Sequence, residues 1–314
     1  MNPTCFTYQD KPVQKWQIGR STFLASGENG ARLMFWNLDL PDGTSRPVLY
    51  WPEEANFSRF SKIRGGNPLL FPFAGASYVE GEAGFWEDQR QLKRPMPQHG
   101  FLRQGKCEIL DLHETGFRAR FLPDETAKEG YPFQYELLIT YRFSELAFFV
   151  DLTLQNDDRE PIPWAAGHHF YLAAPWTEGK SRAEYEVMIP HRRAFRQNPE
   201  DGDLEALKPL GKLACLDNPE LWNRIHTGLR SNEFILREKG EDGHLLIRTN
   251  ENKGFLNKMA CLTWSESAES PYYCVEPWMA PPNSWTDPEG LHWVEPGKSQ
   301  NFYTEVRIVP PEFG

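Results

Sequence analysis

Short apolar segments separated by turn signals run through the whole chain. Apolar and polar positions alternate with period two in residues 117–122, 135–143 and 147–155. This spacing buries one face of a β-strand. The link at residues 144–146 predicts a hairpin, and the polar residues 156–160 predict a second turn. Residues 299–309 predict a further strand, so the pattern favours antiparallel β-structure.

Helical periodicity is scarce. Residues 200–207 and 218–223 predict one short helical turn each. Many short strands together with 26 Pro and 24 Gly are typical of a large all-β sandwich or barrel. No repeat, linker or break in composition divides the sequence, and all-β domains often exceed the usual domain length. We therefore expect one domain over residues 1–314.

Charge and cysteine content limit the partners. The formal charge is -10, which argues against nucleic-acid partners and anionic membranes, but a local basic cluster could still bind a small anion. The five cysteines are scattered, which indicates neither a zinc site nor a disulfide scaffold and fits reduced thiols. The N-terminus has no signal-peptide pattern. We expect a cytoplasmic monomer or weak dimer.

Glu276 has the most informative surroundings. It follows the apolar run 271–275 and precedes Pro277, so the run predicts a strand that ends there and continues as a rigid extended segment. A carboxylate held in a fixed position suits a general base. The alternative is a solvated glutamate at a strand end.

Two other segments carry possible binding groups. Arg64 precedes two glycines, which let a ligand approach the backbone while the guanidinium binds hydroxyl or phosphate oxygens. The alternative is a glycine-rich hairpin with a surface arginine. His99 precedes Gly100 at the start of a predicted strand that also holds Arg103. The histidine points either into a cleft or outward from a turn.

His168 and His169 are adjacent. If residues 164–172 form a strand, their side chains face opposite sides, and at most one enters a given site. Adjacent histidines are poor evidence for a metal centre, and we expect no metal. No P-loop, dinucleotide fingerprint, nucleophile elbow or His-Glu-x-x-His motif is present. Acid/base chemistry between one carboxylate and one imidazole remains, and it needs no cofactor.

In this order, these segments resemble the aldose 1-epimerase (galactose mutarotase-like) family, and within it the branch that includes glucose-6-phosphate 1-epimerases. The matching segments are residues 64–68 with 71–72, residues 99–101 with 103, and residues 131–133, 167–171 and 276–277. They span most of the chain. The resemblance implies an all-β fold, the β-supersandwich, with catalysis at the anomeric carbon of a sugar or sugar phosphate.

The resemblance also implies roles for individual residues. Glu276 matches the catalytic base, His169 the acid, and His99 the group that binds and polarises the substrate. The family's arginine matches Arg64. Further substrate-binding positions are Arg103, His168 and Asn223. Asn223 stands near a common aspartate of the family, so it keeps hydrogen bonding but loses the charge.

The implied mechanism is ring opening and closure at C1. Glu276 takes the proton of the C1 hydroxyl while His169, as imidazolium, protonates the ring oxygen. Free carboxyl and imidazole groups titrate near ~4.3 and ~6.5, so modest pKa shifts suffice. One alternative is a non-catalytic carbohydrate-binding β-sandwich. A glycoside hydrolase or lyase would need a second convergent carboxylate, and the acidic residues at 80–88 resemble a solvated rim.

Overall fold

Two large antiparallel sheets pack face to face in the computed structural model, which describes residues 2–287 and 290–311. The strands are β1 (Thr4–Tyr8), β2 (Lys11–Ile18), β3 (Ser21–Ser26), β4 (Arg32–Asp39), β5 (Ser45–Leu49), β6 (Leu69–Leu70), β7 (Tyr78–Val79), β8 (Glu82–Ala83), β9 (Phe85–Glu87), β10 (Lys93–Pro95), β11 (Lys106–His113), β12 (Gly116–Leu122), β13 (Tyr135–Ser144), β14 (Ala147–Asn156), β15 (Ile162–Trp164), β16 (Gly167–His168), β17 (Phe170–Ala173), β18 (Tyr185–Met188), β19 (Arg193–Gln197), β20 (Leu204–Leu207), β21 (Leu213–Cys215), β22 (Arg224–Thr227), β23 (Glu233–Glu238), β24 (His244–Thr249), β25 (Ala260–Trp264), β26 (Tyr272–Trp278), β27 (His292–Val294) and β28 (Ser299–Val309).

Helical structure is limited to short pieces. The α-helices are α1 (Glu125–Gly130) and α2 (Lys253–Lys258), and the 3-10 turns are Phe57–Lys62, Leu102–Gln104, Arg182–Glu184, Pro219–Leu221 and Ser284–Thr286. No helix within residues 2–287 and 290–311 has the length and apolar character needed to cross a membrane.

The larger sheet follows the order β1-β2-β3-β4-β5-β17-β26-β25-β22-β19-β20, with β6 and β16 attached beside β26. The smaller sheet follows the order β11-β12-β13-β14-β28-β24-β23-β18-β21. This arrangement confirms the all-β sandwich expected from the strand pattern. It also places β17, β25 and β26 in the middle of the larger sheet, where backbone positions are held on both sides.

Most strand predictions are confirmed. Strands β12, β13 and β14 cover the three segments with period-two alternation, β28 is the further strand expected at residues 299–309, and β13 and β14 form the expected hairpin. The turn expected at residues 218–223 is the 3-10 turn Pro219–Leu221. The helical turn expected at residues 200–207 is wrong, because its second half is β20, which pairs with β19.

Aromatic side chains join the two sheets. Phe23 of the larger sheet stacks on Phe143 of the smaller one, with ring centroids 4.6 Å apart. Trp36 meets Phe148 edge to face at 5.7 Å. Burying such large apolar surfaces is the dominant favourable term in folding. One face of the larger sheet therefore packs in the core, and its other face is available for a binding site.

Candidate active site

The outward face of the central strands forms the floor of a large cleft of about 1260 Å³. Alternate residues of a strand point to the same side, so Tyr272, Glu276 and Trp278 of β26 all line the cleft. Trp264 of the neighbouring β25 lies beside them. The strand pairing of β25 with β26 thus brings a carboxylate together with several aromatic rings.

Glu276 lies inside β26, with only 1% of its side chain exposed. The expectation that the strand ends at this residue is wrong, since β26 continues through Pro277 to Trp278. A proline is tolerated there because the adjacent strand is interrupted. On one side β26 pairs with β17 up to Val275 and with β16 at Trp278, and the ladder is interrupted between them, while on its other side β25 pairs with both Glu276 and Pro277. Glu276 is therefore a buried group and not a solvated strand end.

The charge state of Glu276 is set by its surroundings. Among the described residues, neither carboxylate oxygen accepts a hydrogen bond of good geometry, although the Trp278 side chain is close enough to favour the charged form. The Nε2 atom of His169 is 3.5 Å from Oε1. Burial disfavours the charged carboxylate and raises its pKa well above the usual range. The raised pKa makes Glu276 a stronger base than a solvated glutamate once it is ionised.

The two adjacent histidines separate at the gap between β16 and β17. His169 lies in the gap and lines the cleft. His168 is fully buried on the other side, stacked on Phe170 with Asn67 Nδ2 3.2 Å from its Nδ1. His168 lies in the core and not among the residues that line the cleft. Its location corrects the expectation that it contributes to substrate binding.

His169 is held in place by an aromatic partner. Its ring is parallel to that of Tyr171, at a centroid distance of 4.5 Å and an interplanar angle of 6°. Burial lowers the pKa of His169 to about 3, with help from the positive charges of Arg103 and Arg32. This imidazole is therefore neutral near neutral pH, and the shift is far larger than the modest one expected from the sequence.

His99 lies in a turn and not on a strand. Its φ of 68° and the φ of 70° at Gly100 are both left-handed, and a Cβ at residue 100 would collide with the carbonyl oxygen of Phe71. The backbone N–H of Gly75 donates to Nδ1 of His99 at 3.1 Å. The proton of the neutral ring therefore sits on Nε2. Burial lowers the pKa of His99 well below its usual value.

Arg103 also lies in a 3-10 turn, Leu102–Gln104, instead of the expected strand. It lines the cleft with His99 and His169. Its Nε atom is buried without a hydrogen-bond partner among the described residues. Arg103 consequently has donor capacity available for a ligand beside the histidines.

Arg64 and Asn223 lie at the mouth of the cleft. Arg64 forms an ion pair with Glu266, and its guanidinium lies over the ring of Trp264 at 5.6 Å. Asn223 is exposed and adopts a left-handed φ of 51° just before β22. The structure thus brings six of the seven predicted residues to one cleft. It leaves out His168.

Sequence reasoning missed several cleft residues. Tyr171, two positions after His169, lines the cleft, and Cys274, two positions before Glu276, is buried beside the acid/base pair, so strand alternation could have identified both. The basic residues Arg59 and Lys62 at the mouth had no such signal. Asp88, expected on a solvated rim, is instead buried and bound to three donors: the backbone N–H groups of residues 90 and 92 and the side chain of Arg94.

Comparison with known proteins agrees with this arrangement. The chain is 23% identical over 230 residues to the chromosomal protein LacX of Lactococcus lactis subsp. lactis, which covers 68% of this chain and 73% of LacX. A galactose mutarotase-like protein from Clostridium acetobutylicum has the same fold, with a TM-score of 0.78, 14% identity and 98% of each chain covered. A galactose mutarotase-like protein from Lactobacillus casei matches with a TM-score of 0.74 and 19% identity, over 95% of this chain and 100% of that one.

The family comparison covers most of the chain and identifies the family directly. The aldose 1-epimerase family model matches residues 24–303, a span that runs from within β3 to within β28 and includes all the cleft residues described above. This chain belongs to the aldose 1-epimerase family.

Proposed function

We propose that this protein is a cofactor-free mutarotase that interconverts the α and β anomers of an aldohexose or a hexose 6-phosphate. The observation that carries the proposal is the buried pair of Glu276 and His169, 3.5 Å apart at the floor of the cleft. Ring opening needs a base at the C1 hydroxyl and an acid at the ring oxygen, and this pair offers both.

The pair has a simple proton balance. Burial raises the pKa of Glu276 and lowers that of His169, so a single proton on the pair resides on the carboxyl group. Transfer of that proton from Glu276 to His169 creates the base and the acid in one step. Glu276 then removes the C1 hydroxyl proton, the C1–O5 bond breaks, and His169 protonates O5. Rotation about C1–C2 and the reverse steps give the other anomer.

His99 and Arg103 support the reaction as donors. The hydrogen bond from Gly75 to Nδ1 leaves the Nε2–H of His99 available to a sugar oxygen. The lowered pKa keeps this ring neutral, so it binds the sugar without repelling an imidazolium at His169. Arg103 offers guanidinium donors beside both rings. Preorganised donors of this kind stabilise charge that develops in the transition state.

The phosphate form of the substrate is supported by the mouth of the cleft. Arg59, Lys62 and Arg64 all lie on one segment of the lining. In the described part of the chain neither Arg59 nor Lys62 has a carboxylate partner. Basic side chains without acidic partners are suited to a phosphate group, and Asn223 remains at the mouth for sugar hydroxyls.

The direct test is Glu276→Gln, which keeps the shape of the side chain and removes the base. We expect the acceleration of anomer exchange, followed by polarimetry or NMR, to fall about 10²- to 10⁴-fold. Circular dichroism and thermal melting should remain those of a folded protein. Glu269→Gln, at the exposed rim of the same cleft, is the matched control and should retain full activity.

Retention of most activity in Glu276→Gln would contradict the mechanism. A second candidate is a non-catalytic carbohydrate-binding protein, which the aromatic lining of Trp264, Tyr272 and Trp278 also favours. In that case the intact protein shows sugar binding by calorimetry but no catalysed exchange. Sugar binding would then also survive the loss of both Glu276 and His169.

A further inference from the structure

A buried thiol completes a cluster with the acid/base pair. One ligand atom each of His169, Cys274 and Glu276 lies within 4.8 Å of the other two. Cys274 and Glu276 are two residues apart on β26 and therefore share its cleft-facing side. His169 reaches them from the gap between β16 and β17. The three side chains thus converge from two adjacent parts of the sheet.

The cluster has unused coordination capacity. Neither oxygen of the buried Glu276 accepts a hydrogen bond of good geometry within the described residues; its polar neighbours there are Nε2 of His169, 3.5 Å from Oε1, and the Trp278 side chain. Cys274 is a buried free thiol. Buried polar atoms without partners are rare in native structures and point to a ligand. The aromatic rings of Tyr171 and Tyr272 pack around Cys274, which keeps bulk water away from the sulfur.

We propose that His169, Cys274 and Glu276 form a binding site for a soft divalent cation of the zinc class, and that the bound ion blocks catalysis. Thiolate and imidazole favour Zn²⁺, Co²⁺ or Cd²⁺ over Mg²⁺ and Ca²⁺. Zinc with three protein ligands and one open position is a common arrangement. The open position here faces the cleft and takes water.

The required movement is small. Zinc–ligand bonds of about 2.0–2.3 Å place tetrahedral ligand atoms about 3.5 Å apart. The present limit of 4.8 Å leaves a contraction of roughly 1 Å, which side-chain rotation supplies. Binding releases the thiol proton, and any proton held by the carboxyl group, to solvent. No electron transfer is involved.

The inhibitory part of this inference rests on the proposed mutarotase function. An ion on Glu276 and His169 occupies the base and the acid together, so catalysis stops while it is bound. The ion and the sugar also compete for the same floor of the cleft. Binding itself does not depend on the catalytic proposal and can be measured without any substrate.

The first experiment measures metal binding by spectroscopy. The full-length protein is stripped with a chelator, titrated with Co²⁺ and then back-titrated with Zn²⁺. We expect thiolate-to-cobalt charge-transfer bands and the intense visible bands of tetrahedral cobalt, both removed by Zn²⁺. Cys274→Ser and Cys274→Ala should lose the charge-transfer bands. Their affinity for Zn²⁺ should fall at least about 10-fold, because changes to groups that merely orient a ligand already lower metal affinity that much.

The matched control is Cys261→Ser. Cys261 is also a fully buried thiol, on the adjacent β25, but its side chain packs in the core between the sheets. We expect this variant to keep the cobalt spectrum, and thermal melting identifies any variant that fails to fold. Glu276→Gln supplies an independent variant, which should weaken Zn²⁺ binding while retaining the thiolate bands.

The second experiment measures anomer exchange with Zn²⁺ present. Wild-type protein should be inhibited, with relief by chelator or by excess sugar, and Cys274→Ser should be at least about 10-fold less sensitive. Absence of thiolate bands in wild type, or their persistence in both Cys274 variants, overturns the metal site. If the bands appear but the protein never catalyses exchange, the metal site stands and the proposed function fails.

Discussion

At the scale of single residues, burial is the main cause of the shifted pKa values in the cleft. The pKa of Glu276 rises and that of His169 falls to about 3 for the same reason, namely that each charged form loses its water. The opposite shifts move a single proton on the pair from the imidazole to the carboxyl group. The same two side chains in water would share one proton only between their ordinary pKa values, near ~4.3 and ~6.5.

The pH profile of catalysis tests this sharing. A second proton on the pair removes the base, and loss of the only proton removes the acid. For a free aldohexose, we expect kcat/KM to remain high below pH ~4.3. It should fall only as the pH approaches about 3, the pKa of His169. Its alkaline limb is set by Glu276 and should lie above the ordinary carboxyl value near ~4.3, because burial raises the pKa of this group. The measurement is polarimetry across the pH range, corrected for spontaneous exchange.

A free sugar is the right substrate for that measurement, because a phosphate group titrates near pH ~6 on its own. A narrow optimum bounded by limbs at the ordinary carboxyl and imidazole values would contradict the shared proton. It would indicate that water reaches the floor of the cleft and screens the pair.

The sequence could identify residue types at this site but not their directions. The neighbours of Glu276 and His99 in the chain marked them as candidates, the family resemblance selected His169, and all three meet in one cleft. The choice between His168 and His169 depends on the break between β16 and β17. That break arises from pairing with β6 and β26, and no local pattern in the sequence records it.

At the scale of elements, the rim segment is held by one buried arginine. Arg32 at the start of β4 is 1% exposed and donates to the backbone carbonyls of Phe60, Ile63 and Gly65. Its guanidinium also lies over the ring of Trp51 at 5.3 Å. Backbone carbonyls that are anchored in this way fix the path of residues 57–65, which carry the basic side chains of the mouth.

Loss of the Arg32 side chain should weaken substrate binding more than it slows the chemical step. Arg32→Met leaves buried carbonyls without donors, at about 1–3 kcal/mol each, so we expect the free energy of unfolding to drop by at least about 2 kcal/mol. Steady-state kinetics at a temperature where the variant is folded should show a raised KM with a smaller change in kcat. Arg32→Lys retains the charge and one donor group, so its KM should lie between those of Arg32→Met and wild type.

A loss of kcat at unchanged KM would place Arg32 in the chemistry instead of the rim. The sequence does not reveal that Arg32 anchors the rim segment, because its acceptors are backbone carbonyls about 30 residues further along the chain. Regular alternation predicted the long hairpins well, as in β13 and β14. It failed where pairing partners decide the outcome, as at β20, where the short segment Leu204–Leu207 forms an edge strand beside β19.

At the scale of the whole molecule, the charge distribution is uneven. The chain carries a formal charge of -10, yet Arg59, Lys62, Arg64, Arg103 and Arg196 all line the one cleft. Glu54, Glu266 and Glu269 also line the cleft, but Arg59 and Lys62 have no carboxylate partner among the described residues. They form a local basic patch at the mouth that draws in a complementary ligand. We propose that residues 1–314 act as one domain for this purpose, since a single buried cluster draws from both sheets.

The uneven charge gives a prediction about substrate choice. Wild-type protein should favour a hexose 6-phosphate over the free hexose. The double variant Arg59→Ala and Lys62→Ala should lower kcat/KM for the phosphate about 10-fold or more, because each charge-assisted contact is worth about 1.5–3 kcal/mol. Exchange of the free hexose should be unchanged. Lys15→Ala, an exposed lysine outside the cleft, is the control and should alter neither substrate.

The dependence of kcat/KM on salt concentration distinguishes long-range attraction of the phosphate to the mouth from direct contacts inside the cleft. Added salt shortens the screening length from about 10 Å at 0.1 M to about 3 Å at 1 M. Wild type should therefore lose part of its preference for the phosphate, and the double variant should lose less. Equal turnover of both sugars by wild type and double variant, at low and high salt alike, would remove the phosphate from the proposed function. The mouth would then serve sugar hydroxyls through Asn223 and Arg64, with a free aldohexose as the substrate.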